Sequence, residues 1–381
     1  MTSRDTTPRR STPRRSTPRR TLLKGTLLGT AAALVPAAAA AATRGSAAAP
    51  AGTALRLPAP TGPHPVGLRT VHLTDLSRTD PWVGGPRQVM LTVLYPARTA
   101  RGCPRAPQLT RDEADAFAEL APLVHEGLPA KGTVDWGAVL THGHVNAPPL
   151  PGPRPVLLYS PGGGDSRTLG THLAEDLASH GRIVVLVDHP GDASQVELPS
   201  GLRYTVLRGE PDPATFHTMI DTRVADLRLV LDHIPDFLTG IAPEAPAIGI
   251  YGHSAGGTAA VYAAHHDRRI LAAADLEGYL DLDDLGSLDR FDRPLLLLRT
   301  DGFDGAARLE RSWAGLPGRR ALLTGAGHWS LTDYAALVPR LQTAGLVTSA
   351  TRTALVGTAD PAVNVEVLRH RVRGFFARHL L

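Results

Sequence analysis

The stretch Ala247-Ile248-Gly249-Ile250-Tyr251-Gly252-His253-Ser254-Ala255-Gly256-Gly257-Thr258 decides the architecture. Ala247–Tyr251 is a short apolar run that reads as a buried strand, and Ser254–His265 reads as a helix. Between them stands Gly-x-Ser-x-Gly. A chain that turns this sharply leaves no room for side chains beside the turn, which accounts for Gly252 and Gly256, with Gly257 as further relief. The turn lifts the Ser254 hydroxyl above the strand end, and the helix start supplies N–H groups for developing negative charge. The pentapeptide also occurs by chance, and a serine there can simply cap a helix. Its place between a strand and a helix favours a nucleophile.

Outward from this stretch the pattern repeats. Val156–Tyr159 and Ile183–Val187 read as strands flanking a helix over Thr168–His180 that Gly181 closes. An amphipathic helix spans Phe216–Ile234, and strands follow at Ile270–Ala274, Pro294–Leu298 and Ala321–Leu323. A last helix occupies Pro361–His379. Ahead of these lie two strand-like runs, Arg69–Leu73 and Gln88–Tyr95, and a helical pattern over Arg111–Leu120. Short apolar strands alternating with helices predict an α/β fold, a mostly parallel central sheet with helices on both faces. One catalytic domain, residues 50–381, accommodates it.

A serine hydroxyl is a weak nucleophile until a base takes its proton. Five histidines follow Ser254. His265 and His266 sit at the far end of the serine's own helix, and His370 and His379 in the closing helix. His328 lies in the Gly-rich segment Thr324-Gly325-Ala326-Gly327-His328-Trp329, just after the last strand, where a base is expected. The orienting carboxylate should end a strand, and two residues compete: Asp275 and Asp301. Spacing does not choose between them. For the oxyanion, the N–H of Ala255 is one donor and the Pro161–Gly164 loop should supply the other. That loop has no following Lys-Ser/Thr and no G-x-G-x-x-G spacing, which argues against nucleotide binding.

Composition narrows the remainder. At 43% hydrophobic and 20% charged the chain is globular, and its single cysteine, Cys103, excludes an internal disulfide and a multi-cysteine metal site. The net charge of +4 comes from the N-terminus, where residues 1–45 hold nine of the basic side chains against one acidic one. It is therefore no argument for a nucleic-acid partner. This tail repeats Thr-Pro-Arg-Arg three times and ends in Arg19-Arg20-Thr21-Leu22-Leu23-Lys24 before an Ala-rich stretch. Paired arginines ahead of a mildly apolar segment resemble a twin-arginine export signal. Gly29 and Pro36 make that stretch a poor permanent membrane span. Residues 1–49 are thus expected to be signal peptide and linker, handled by the twin-arginine translocase, with the rest secreted.

Several segments occur in one order: Pro60–Gly67, Ser160-Pro161-Gly162-Gly163-Gly164, Asp176–Gly181, Asp188-His189, Gly252–Gly257, Ala274-Asp275 and Gly327-His328. Together they resemble the plasma-type platelet-activating factor acetylhydrolase family of α/β-hydrolases, from about Pro60 to the C-terminus. The resemblance implies a serine esterase for lipid-like or short-acyl esters that needs neither metal nor organic cofactor. It implies Ser254, His328 and Asp275 as the triad, and the N–H groups of Gly163 and Ala255 as oxyanion donors. Pro161 stands where the family usually has histidine, and Ala255 where it often has a bulkier residue. Two other readings remain: a lipase or cutinase-like polyester hydrolase using Asp301, and a catalytically inactive binding scaffold on the same fold.

Replacing both Arg19 and Arg20 by lysine is expected to trap a folded, active precursor inside the cell. Fractionation followed by immunoblotting checks this, and normal export of the double variant rules the twin-arginine reading out.

Overall fold

The structure is a computed structural model that describes residues 55–242 and 245–380. The signal peptide and linker expected over residues 1–49, and the boundary at residues 49/50, lie outside the described residues. Twelve strands occur among the described residues: β1 Val66–Thr79, β2 Pro86–Pro96, β3 Arg105–Pro107, β4 Leu140–Val145, β5 Val156–Ser160, β6 Ile183–Asp188, β7 Gln195–Leu198, β8 Gly201–Tyr204, β9 Ile248–His253, β10 Ile270–Leu276, β11 Leu295–Thr300 and β12 Arg319–Leu323. The helices are α1 Arg111–Val124, α2 Thr171–Ser179, α3 Pro213–Asp232, α4 Ile234–Phe237, α5 Ala255–His266, α6 Ala306–Ser312, α7 Tyr334–Thr343, α8 Ser349–Val356 and α9 Pro361–His379.

Ten strands form one sheet in the order β12-β11-β10-β9-β5-β6-β2-β1-β4-β3, and β7 and β8 form a separate hairpin. From β12 through β6 every pairing is parallel, while β2 joins β6 antiparallel. Alternate residues of each central strand feed opposite faces. Val156 and Leu158 pack with Ile220 and Leu227 of α3 and Val261 of α5. Leu157 and Tyr159 pack with Leu173 and Leu177 of α2 and Phe376 of α9. Both faces are covered, so these strands are apolar throughout instead of alternating. Burying each large aliphatic side chain contributes about 1.5–3 kcal/mol. This is the α/β-hydrolase architecture expected from the sequence.

Chain direction places the cleft. After β5 the chain runs through α2 to β6 on one side, and later returns to β9 on the other. The carboxyl ends of β5 and β9 therefore lie side by side at a switch point, where open α/β sheets form their crevice. Ser160 pairs with Gly252 there, so the glycine loop and the Ser254 turn leave adjacent strands at one level.

Some elements escape sequence reading. The polar stretch after Gly191 contains the β7–β8 hairpin, whose Val196 and Leu198 make a small core of their own with Ala193. Helices α7 and α8 are short, and α7 carries Pro339 inside it. Leu337 and Leu341 of α7 pack against Phe117 of α1, a contact that local periodicity does not announce. No helix among the described residues is long and apolar enough to cross a membrane.

Candidate active site

Ser254 stands between the end of β9 and the start of α5 with φ 54° and ψ −125°, a backbone conformation rare for any residue but glycine. Such strain, of order 1–3 kcal/mol, persists only where the surroundings enforce it. The Ser254 N–H donates to Leu276 O at 2.9 Å, which ties the turn to β10. A side chain on Gly252 would collide with the Gly256 carbonyl, and one on Gly256 with Ser160 O. The glycines are thus demanded by close backbone approach across the turn.

His328 follows β12 on a loop that Asp301 holds. The two Asp301 carboxylate oxygens accept from the N–H groups of Gly325 at 2.9 Å and Ala326 at 3.1 Å. These bonds also keep the Asp301 carboxyl below its usual pKa. The His328 ring stacks on Phe303 at 4.4 Å between centroids and lies 4.5 Å from the ring of His253. Its Nδ1 pairs with Glu277 Oε2 at 2.8 Å. Burial, and then the neighbouring His253, lower the His328 pKa below the ordinary imidazole value, while Glu277 works in the opposite sense.

This pairing corrects the sequence expectation. Neither Asp275 nor Asp301 contacts His328; the carboxylate at its Nδ1 is Glu277. Asp275 lies inside β10, level with Gly252, two positions short of the serine. It shares the α5-facing side of the strand with Ala273, so close to Gly257 that a side chain there would strike its Oδ1. Its oxygens accept from Gly278 N at 2.6 Å and from Trp313 Nε1 at 3.1 Å. Full burial pushes the Asp275 carboxyl well above its usual pKa. Asp301 is spent on the histidine loop.

Leu276 pairs with His253, so the next residue, Glu277, stands at the level of Ser254. Glu277 has φ 71°, which breaks the strand alternation and re-aims its side chain. Its Oε1 accepts from Thr300 N at 2.5 Å and Thr300 Oγ1 at 2.8 Å, leaving Oε2 for the histidine. The clue in the sequence was positional: in a parallel sheet the partner must lie beyond the strand end, and the acid there is two residues after Asp275.

Ser254, Glu277 and His328 line one cleft of about 970 Å³, together with Gly163, Ala255 and Met219. Gly163 and Ala255 adjoin: a β-carbon built on Gly163 would touch Ala255 Cβ at 3.6 Å. Ala255 opens α5, and the first N–H groups of a helix have no acceptor within it. The sequence-derived Ser254, His328, Gly163 and Ala255 therefore converge, and Asp275 lies beneath them. Among the described residues no cluster of three or more His, Cys, Asp or Glu side chains is arranged to hold a metal.

Fold and cleft together define an α/β-hydrolase. No protein-family model matches the chain. A probable 1-alkyl-2-acetylglycerophosphocholine esterase from Arthroderma benhamiae is 28% identical over 344 residues, which cover 84% of this chain and 87% of that one. The solved ferulic acid esterase of Streptomyces cinnamoneus is 33% identical with a TM-score of 0.72, covering 86% of this chain and 93% of its own. The chain belongs to this family of α/β-hydrolase esterases, in keeping with its resemblance to the platelet-activating factor acetylhydrolases, and it is a carboxylic ester hydrolase.

Three substitutions separate the carboxylates. Glu277→Gln is expected to lower kcat by roughly a thousandfold or more, the scale for losing the acid of a triad. Asp275→Asn and Asp301→Asn should retain far more activity and lose mainly thermal stability. Steady-state kinetics with folding checked by circular dichroism decides; an active Glu277→Gln beside a dead, folded Asp275→Asn would reverse the assignment.

Proposed function

We propose that the protein is a serine esterase working through Ser254, His328 and Glu277, with the N–H groups of Gly163 and Ala255 as oxyanion donors. The observation that carries this reading is the 2.8 Å pairing of His328 Nδ1 with Glu277 in the cleft that also holds Ser254. With Nδ1 bonded to the carboxylate, Nε2 is the nitrogen left to accept the Ser254 proton. Ser254 Oγ attacks the ester carbonyl as His328 takes that proton, and the carbonyl oxygen becomes an anion facing Gly163 and Ala255. Collapse breaks the bond to the leaving alcohol, which receives the proton from His328. Water then attacks the acyl-enzyme by the same route, releasing the acid and restoring Ser254. No step calls for a metal or an organic cofactor.

A lipid-like or short-acyl carboxylic ester is the proposed substrate. Leu207, Phe216, Met219, Tyr279, Leu282 and Phe303 give the cleft apolar walls. The names of the Arthroderma and Streptomyces relatives point to an acetylated glycerophospholipid and to a ferulic acid ester, which supports the same class of reaction on modest acyl groups. Use of Asp301 by a cutinase-like enzyme is disfavoured, because both its oxygens already serve the loop at Gly325 and Ala326. An inactive scaffold is disfavoured by the intact histidine–carboxylate pair. The tail ending in Arg19-Arg20 supports export through the twin-arginine translocase and a secreted location.

Ser254→Ala is expected to abolish both ester hydrolysis and labelling by a fluorophosphonate while leaving the circular dichroism spectrum intact. Activity above a few per cent of the unsubstituted enzyme would remove Ser254 from its role.

The pH dependence follows from His328. A base must be neutral to act, so the competent fraction falls as pH drops through its pKa. Because burial and His253 lower that pKa, the acid limb of kcat/KM should have its midpoint below about 6.5, the ordinary histidine value. Glu277 raises the pKa, so the residual activity of Glu277→Gln should show a limb at still lower pH. A limb above 6.5 in the unsubstituted enzyme contradicts the assignment.

A further inference from the structure

Under the Pro161–Gly164 loop lies Arg223, a fully buried side chain of α3. Its Nη1 donates to Pro161 O and, at 3.3 Å, to Ser160 Oγ. Its Nη2 donates to Gly162 O at 2.9 Å. Asp192 clamps the same guanidinium, accepting from Nε at 2.5 Å and from Nη2 at 2.6 Å, and also accepts from Gly164 N at 3.4 Å. Behind this fork, Ser160 Oγ lies 2.9 Å from His189 Nε2, and His189 Nδ1 lies 3.0 Å from Asp226 Oδ2. Asp226 is in turn paired with Arg87 at 2.6 Å. Ser160, His189 and Asp226 are spaced like a triad but wholly buried, so no substrate reaches them.

We propose that Arg223 is the positioning residue that sets the oxyanion hole, held in place by Asp192. The proposal rests on reading the Gly163 N–H as an oxyanion donor. In a trans peptide the C=O and N–H are coplanar and point in opposite directions, and no cis bond occurs among the described residues. Drawing Gly162 O toward Arg223, into the protein, turns the N–H of Gly163 the other way. That way is the cleft, which Gly163 lines beside Ser254 and Ala255. The Pro161 carbonyl, anchored to the same guanidinium, fixes the preceding peptide too. A planar five-donor guanidinium can hold two successive carbonyls and a carboxylate at once; a lysine ammonium, a compact point charge with three donors, cannot reproduce that fork. All of these bonds are made between groups of the protein itself, so the hole need not reorganise as charge develops on the oxygen.

Arg223→Lys and Asp192→Asn in the full chain test this, with a p-nitrophenyl short-acyl ester as substrate and active sites counted by titration. The expected result is a fall in kcat of about ten- to a hundredfold per titrated site, with KM within about threefold. Removing a donor outright costs about a hundredfold or more, so displacing one should cost less. The inhibition constant of a trifluoromethyl ketone, whose adduct carries the oxyanion, should rise in proportion to the loss in kcat/KM. The acid limb of the pH profile, set by His328, should stay where it is. A folded Arg223→Lys with kcat within threefold of the unsubstituted enzyme overturns the proposal. So does lost kcat with an unchanged inhibition constant. If Arg223→Lys does not fold, Asp192→Asn is judged by the same two criteria. Gly163→Pro, which deletes the N–H, separates the layers. If that variant stays fully active, the donor reading itself fails and the proposal with it; if it is inactive while Arg223→Lys is active, only the role of Arg223 falls.

Discussion

The parallel pairing of β5 with β9, which sets Ser160 beside Gly252, is the constraint on which the site depends. It brings two chain reversals to one level. The loop after β5 carries Gly163, and the turn after β9 carries Ser254. Gly256 has to be glycine because the turn passes directly over Ser160 O. A shift of one residue in this pairing would turn every core side chain of β5 to the wrong face, with Leu157 and Leu158 exchanging helical layers. The hydrophobic core therefore enforces the catalytic register, and two of its members, Met219 and Ala255, also line the cleft.

Two non-glycine residues of the site, Ser254 and Glu277, sit at positive φ. Each costs about 1–3 kcal/mol, and the neighbouring strands supply the bonds that hold them. Ser254 N–H is fixed by Leu276 O, and Glu277 by both donors of Thr300 at the end of β11. Asp275 completes the bracing from below. Its bonds to Gly278 N and Trp313 Nε1 close the 275–278 turn on which Glu277 is mounted. The acid, the base and the nucleophile thus leave three different strand ends, and each is tied to its neighbour by backbone groups.

Buried charge in this protein serves geometry more than stability. Arg223 with Asp192, and Arg87 with Asp80 and Asp226, lie inside where desolvation offsets much of the attraction between partners. A core of aliphatic side chains would hold the layers together as well. It would not hold carbonyl groups at fixed angles, which is what the loop after β5 requires. The price of these ion pairs is met by the large apolar layers on both sides of the sheet.

The sequence by itself determined the class of fold, the nucleophile turn and the histidine loop. Each of those features is local: an apolar run, glycines forced by a tight turn, and a histidine just past the last strand can each be recognised from a few neighbouring residues. It did not determine the carboxylate, because Asp275, Glu277 and Asp301 all lie near strand ends and differ only in height and direction. Height came from the β9–β10 register, which places Glu277 level with Ser254; direction came from its positive φ. Helices α7 and α8 were hidden for a related reason, since their apolar faces answer to distant residues such as Phe117 and not to a local period. Arg223 was invisible for the same cause. Nothing around it in α3 marks it out, and only the folded chain brings it to Pro161 and Gly162, some sixty residues away in sequence, where its planar fork has two carbonyls to hold.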